Sequence, residues 1–318
     1  MRYGISYMGS KSGIVSSLAL ALPKAENFYD LFGGGFSVTH YMMLECKHKY
    51  NSFHYNELNP LLAPLIKDAI LGAYNYDVFK PEFVSREEFH KRKSTDGYVA
   101  YLWSFGNDGR TYMFAPAVEI VKKSAHQAVV FDEFDDFIKD FLGFDCWDKS
   151  IDTIYKRRIY VYQRATFINK KLGINKVHVL RQLEQLQQLE GLERLQQLQQ
   201  LERLEQIQRL ENLSTDKLTI TTKDYRDVQI KENSIVYCDI PYKNTSGYTG
   251  NKENAFSHID FYEWAANANF PVYISEYNIS DERFELVYGI QKRSTKASSL
   301  GNGSVQTEKL YWNRVKLK

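Results

Sequence analysis

The chain has 318 residues, with 41 basic and 39 acidic side chains and a formal net charge of +2. At 43% hydrophobic and 25% charged it has an ordinary globular composition, which excludes a disordered tail, a collagen-like fibre and a disulfide-stapled miniprotein. Three cysteines (Cys46, Cys146 and Cys238), an odd number without a CxxC pair, give no disulfide framework and no zinc spacing, leaving a reducing cytosol as the expected setting.

The N-terminus, MRYGISYMGSKSG, has no apolar h-region, and no run approaches the length of a membrane span, so secretion and membrane crossing are not expected. Residues 27–32 (NFYDLF) predict a buried strand running into Gly33, Gly34 and Gly35, and FSVTHYMMLEC after it has helical spacing. A second strand, Ser52–Asn56, ends at Glu57-Leu58-Asn59-Pro60 and leads into the helical LLAPLIKDAILGAY. This alternation predicts a parallel sheet covered by helices. From about 76 to 178 the pattern changes to long helical segments. Strand signals resume at Leu218 with LTITT, SIVYCD, PVYISE, RFELVYG and KLYWNRV. The expected architecture is an α/β sheet domain made of 1–75 and 216–318, interrupted by a mostly helical insert at 76–215.

The small net charge conceals an uneven distribution. Residues 131–152 carry eight acids and two bases, whereas 155–178 carry seven bases and no acid, with Tyr155, Tyr160 and Tyr162 among them. Residues 289–318 carry seven bases against Glu308 alone. Basic patches with aromatics suit a polyanion whose phosphates they neutralise, and Lys156, Arg157, Arg158 and Arg164 are the expected DNA-phosphate contacts. A solvated basic face is the plainer alternative.

From 180 to 213 every third residue is Leu, apart from Ile207, giving twelve apolar positions separated by Gln, Glu, Arg and similar residues. The composition favours helix, yet each step of three turns the apolar row back by about 60°. A continuous 3₁₀ helix would align the leucines but is not stable over this length. One or two α-helices broken at Gly191 are expected, covered on several sides by the rest of the insert or by another copy of the chain. A repeat expanded in a tolerant loop is the alternative.

Four local features carry chemistry. Residues 7–11 (YMGSK), with Gly4 and Ser12, approach a phosphate-binding loop, but the spacing from Gly4 is one residue too long and no strand precedes it, so a nucleoside triphosphate site is rejected. Residues 30–36 (DLFGGGF) stand at a strand end, where glycines let a ligand approach the backbone and a helix N-terminus favours an anion. Glu57 ends the next strand, where an acid commonly holds the ribose of an adenosine-type cofactor. In residues 235–242 (IVYCDIPY) a strand delivers Asp239, then Pro241 constrains a turn, then Tyr242 follows, at the sheet end where such folds bind ligands. This last feature is the most specific in the chain.

In this order, with an insert before Asp239-Ile240-Pro241-Tyr242, the features resemble the Dam-like family of S-adenosylmethionine-dependent DNA adenine-N6 methyltransferases in its alpha-type arrangement. Residues 243–248, 256–264, 272–277 and 308–311 are similar as well. The resemblance covers 1–75 and 216–318 well and the insert poorly, apart from Ser104-Phe105-Gly106-Asn107, which resembles a loop in some phage-type members. Two departures stand out. The family's D/N-P-P-Y reads Asp-Ile-Pro-Tyr here, Ile240 replacing a residue that contributes its backbone carbonyl. The usual F-x-G-x-G ends on Phe36, preceded by Gly35.

The resemblance implies a Rossmann-like methyltransferase sheet with an inserted target recognition domain, S-adenosylmethionine as cofactor and double-stranded DNA as partner. It also implies base flipping, a restriction–modification setting and the cytoplasm of a bacterial or phage-infected cell. By it, Asp239, Pro241 and Tyr242 are the catalytic residues, and Tyr7, Lys11, Asp30, Phe32, Gly34, Glu57 and Asp239 surround the cofactor. No metal-ligand spacing such as HExxH occurs, and the transfer needs no metal. An adenine amine is a poor nucleophile because its lone pair is delocalised into the ring. Asp239 and the Ile240 carbonyl would each accept one N–H, the charged partner more strongly, while Tyr242 stacks on the base. The same D-x-P-Y chemistry serves enzymes acting on RNA adenine or a protein glutamine amide. A catalytically idle DNA-binding scaffold, self-associating through the Leu-rich segment, is the alternative of a different class. GATC is the first target to test.

Overall fold

The computed structural model describes residues 2–172, 198–211, 213–242, 256–293 and 305–317. The chain divides into two compact units, Met1–Lys67 with Asn212–Lys318, and Asp68–Glu211. Among the described residues no helix is long and apolar enough to cross a membrane.

The first unit holds a seven-stranded sheet. Its strands are β1 (Asn27–Asp30), β2 (Ser52–Asn56), β3 (Leu218–Thr221), β4 (Ser234–Cys238), β5 (Val272–Glu276), β6 (Glu285–Arg293) and β7 (Val305–Trp312). Their spatial order is β3-β2-β1-β4-β5-β7-β6. The first five pair in parallel, and β7 runs antiparallel between β5 and β6. This is the α/β, Rossmann-like class expected from the sequence, and each expected strand is present. The run at 27–32 ends as a strand at Asp30, because the chain then enters the glycine turn. Every residue of β1, β4 and β5 is buried. A sheet covered on both faces has this property, so its central strands read as runs rather than alternations.

Helix α1 (Val15–Ala21), helix α2 (Ser37–Glu45) and helix α3 (Leu62–Ile70) follow in the N-terminal part. Six of the nine residues of α2 are buried, so it acts as a core element rather than an amphipathic cover. Two backbone bonds pin the N-terminal segment beside it. Gly4 N donates to His40 Nδ1 at 2.9 Å, and Ile5 N donates to the Gly35 carbonyl at 2.8 Å. Gly4 has φ +68°, and a Cβ there would lie 2.2 Å from the Gly35 oxygen, so only glycine fits.

The second unit contains α4 (Arg86–Arg92), α5 (Gly97–Leu102), α6 (Pro116–Phe131), α7 (Asp136–Leu142), α8 (Ile154–Leu172) and α9 (Gln199–Gln208). Ser85, Asp96 and Asp135 cap α4, α5 and α7 with their side chains, each satisfying an N–H that the helix leaves unpaired. Part of the acidic run at 131–152 is thereby explained: Asp135 and Asp136 occupy the N-terminus of α7, where negative charge is favoured.

The described end of the Leu repeat forms α9. Leu198, Leu201, Leu204, Ile207 and Leu210 are all buried, as are Gln200 and Gln206. Within the helix the buried positions span roughly 220° of the axis, so α9 is covered on several sides, as its drifting apolar row requires. Leu198 and Leu201 enter a core with Ala125, Val129, Ile138, Phe141 and Val161. The rest of the repeat, 180–197 with Gly191, lies outside the described residues.

Candidate active site at the carboxyl ends of the strands

The sheet brings Asp30, Glu57 and Asp239 to one edge, because each follows or ends a parallel strand (β1, β2 and β4) at its carboxyl end. The pinned N-terminal segment brings Lys11 to the same place. Its Nζ lies 2.7 Å from Asp239 Oδ2 and 3.3 Å from Glu308 Oε1, and it also donates to the Gly9 carbonyl at 3.2 Å. Tyr242 donates its hydroxyl to the same Glu308 oxygen at 2.6 Å. The Tyr242 ring lies 4.9 Å from Lys11 Nζ and packs at 66° to Tyr277, with centroids 4.5 Å apart.

Charge in this cluster is uneven: two carboxylates share one ammonium. Burial alone would lower the Lys11 pKa, but Asp239 and Glu308 outweigh it and hold the side chain charged. Burial pushes Asp239 above the ordinary carboxylate range; Lys11 opposes this and Glu308 reinforces it. Asp30 is buried as well, and burial lifts it to about 7 despite the Thr39 hydroxyl that donates to Oδ2 at 2.8 Å. Asp30 Oδ1 is buried without a hydrogen-bond partner among the described residues.

Glu57 closes the glycine turn. It accepts from Gly34 N at 2.8 Å and from Asn59 N at 2.9 Å, and burial raises its pKa against these bonds. Tyr55 donates to the Gly34 carbonyl at 2.7 Å. Tyr7 packs over the turn so closely that a Cβ on Gly35 would lie 2.5 Å from its own. Phe36 ends the turn with φ +67° as the N-cap of α2, so the residue that departs from the family's glycine holds a conformation glycine prefers. Phe32 packs with Tyr225, Phe256 and Phe261.

Two groups with no role assigned from the sequence join this end of the sheet. Glu308 arrives on β7, and His258 of α10 (His258–Asn267) donates from Nε2 to the Pro241 carbonyl at 2.7 Å. Their contacts depend on tertiary pairing that no local pattern reveals.

A family model for D12 class N6 adenine-specific DNA methyltransferases matches residues 7–266. The chain belongs to this family. It is a site-specific DNA adenine-N6 methyltransferase, and DNA is its substrate. A search of curated proteins finds no match. The methyltransferase match takes in the glycine turn, Glu57, the whole second unit and Asp239 to Tyr242, while Glu308 lies beyond it.

The basic run in the second unit departs from expectation. Arg158 is 8% exposed and forks onto Glu205 at 2.7 and 2.8 Å and Glu202 at 3.2 Å. It is therefore not available to a phosphate. Arg157 reaches the Ile151 and Val129 carbonyls and lies over the Trp147 ring. Arg164 donates to the Phe141 carbonyl at 3.1 Å. These arginines join helices and loops within the unit. Lys156 is exposed and paired with Asp152 at 2.8 Å, and a solvent-exposed pair of this kind exchanges at little cost.

Proposed function

We propose that this methyltransferase uses S-adenosylmethionine as methyl donor and acts on an adenine turned out of duplex DNA, with Asp239 and the Ile240 carbonyl accepting the two N–H groups of the target amine. The observation that carries this reading is the pairing of buried Lys11 with half-buried Asp239 at the carboxyl end of β4, beside Asp30, which ends β1, and Glu57, which follows β2. Bound S-adenosylmethionine supplies a methyl group on a positively charged sulfur. The residues suit that cofactor: the unpaired Asp30 Oδ1 calls for a donor such as an α-ammonium, and Glu57 suits ribose hydroxyls. Tyr7, Lys11, Phe32 and Gly34 would complete its surroundings.

Accepting both N–H groups withdraws the amine from conjugation and enriches its lone pair, the ionised Asp239 contributing the stronger bond. Tyr242, with Pro241 fixing the turn before it, would stack on the base, contributing roughly 1–3 kcal/mol. Extruding a paired adenine costs a few kcal/mol, and aligning its amine in line with the methyl sulfonium would make positioning much of the catalysis.

The second unit is proposed as the target recognition domain. Its loop at 104–109 is tightly built: Gly109 N donates to Ser104 Oγ at 3.0 Å and Asn107 Nδ2 to the Tyr101 carbonyl at 2.8 Å. Phe105 at its tip is 68% exposed, near exposed Arg110, a combination suited to nucleic acid. Self-association through the Leu repeat would fall to 180–197, because the apolar positions from 198 to 210 are covered within the unit. A cytoplasmic, restriction–modification setting belongs to the same proposal, with GATC the first target to test.

Titration calorimetry with S-adenosylmethionine, followed by labelled methyl transfer to unmethylated plasmid, tests this reading. Saturable binding and label in DNA are expected. Absence of cofactor binding, or label in RNA or protein but not DNA, would overturn it.

A further inference from the structure

Glu308 lies beyond the family-matched residues, on the strand that enters antiparallel between β5 and β6. It is 3% exposed, and one oxygen serves two groups of the site, the Tyr242 hydroxyl at 2.6 Å and Lys11 Nζ at 3.3 Å. A buried carboxylate is costly unless paired, so its placement beside a second carboxylate calls for a physical reason.

That reason lies in how Lys11 divides its charge. With Asp239 as its sole partner at 2.7 Å, the ammonium would neutralise the carboxylate one to one and weaken it as an acceptor for an incoming amine. Glu308 draws part of that field away, leaving the three groups with a net charge of −1 when all are ionised. The same oxygen fixes the Tyr242 phenol, so the ring and the acceptor are set by one residue.

We propose that Glu308 is a positioning residue for methyl transfer: by sharing Lys11 with Asp239 and accepting the Tyr242 hydroxyl, it keeps Asp239 a strong acceptor and fixes the ring that meets the base. This rests on the roles proposed above for Asp239 and Tyr242.

Glu308→Gln separates charge from shape, since its amide oxygen still accepts the Tyr242 hydroxyl. Single-turnover transfer should slow roughly 10- to 100-fold, the effect of one lost charge-assisted contact, while the Kd values for S-adenosylmethionine and plasmid DNA change little. A purely structural role would instead weaken binding and transfer together. Transfer at the wild-type rate by Glu308→Gln would overturn the inference. Should that variant not fold, Glu308→Asp keeps the charge but withdraws it by one methylene, with slower transfer at unchanged Kd expected and a wild-type rate contradictory. Asp239→Ala, measured alongside, distinguishes the two levels. An active Asp239→Ala removes the underlying reading, whereas an inactive one beside a fully active Glu308→Gln removes only the role of Glu308.

Discussion

The ammonium of Lys11 lies 2.7 Å from the carboxylate of Asp239, joining the N-terminal segment to the end of the central strand β4 by an ion pair whose lysine is buried and whose carboxylate is 19% exposed. Removing Lys11 leaves the buried Glu308 and the half-buried Asp239 without their shared cation, a loss of at most about 3–5 kcal/mol because solvent reaches part of Asp239. Lys11→Met should therefore lower the melting temperature markedly near neutral pH and recover part of the loss in acid, where Asp239 takes up a proton. Thermal denaturation at both pH values checks this, and equal stability of variant and wild type would contradict it.

The raised carboxylates give a second prediction, with opposite signs for stability and activity. Burial lifts Asp30 to about 7, so the folded state binds its proton more tightly than the unfolded chain does. Its contribution favours folding below the ordinary carboxylate pKa and is lost as pH rises through the folded value. Asp30→Asn cannot ionise and should lose less stability than wild type between about pH 4 and about pH 7, measured by chemical denaturation. Activity should rise with pH, because Asp239 must be ionised to accept an N–H. Its acid limb should lie above the ordinary carboxylate range, since burial and then Glu308 outweigh Lys11.

Arg158 and Lys156 should behave oppositely although they are two residues apart. Arg158→Ala strips the buried partner from Glu205 and Glu202 and should cost about 3 kcal/mol. Lys156→Ala removes an exposed pair and should stay within about 0.5 kcal/mol, while weakening DNA binding similarly on all sequences and flattening its salt dependence. Denaturation and binding at two salt concentrations check both. A stable Arg158→Ala protein with weakened DNA binding would restore the arginine as a phosphate contact.

These residues also mark how far the sequence could be read. The central strands were legible because burial on both faces turns them into apolar runs, and Asp30, Glu57 and Asp239 were legible because each closes such a run. Arg158 was not, because its partners Glu202 and Glu205 lie in a low-complexity repeat far along the chain, and charge counting cannot pair them. The contacts of Glu308 were hidden for a similar reason: they depend on the last strand inserting beside β5 rather than adding at the edge. The strain at Phe36 was masked by the adjacent glycines, which suggested that the turn had all the freedom it needed.

The glycine turn gives a further prediction. Gly4→Ala would place a methyl group 2.2 Å from the Gly35 oxygen at a positive φ, costing more than about 1 kcal/mol and displacing the segment that carries Lys11. Methyl transfer should therefore fall more than the stability loss explains. Phe36→Gly relieves about 1 kcal/mol of backbone strain, but deleting the fully buried ring costs about 3–5 kcal/mol, so the net effect should be destabilising. Denaturation of both variants, with transfer assays, checks the pair; a more stable Phe36→Gly would contradict the packing argument.

The most direct measurement is nucleoside mass spectrometry of unmethylated plasmid DNA incubated with S-adenosylmethionine and either wild type or Asp239→Ala. N6-methyladenine should accumulate with wild type and collapse with Asp239→Ala while the variant stays folded. Undiminished N6-methyladenine from folded Asp239→Ala would contradict the role assigned to that carboxylate.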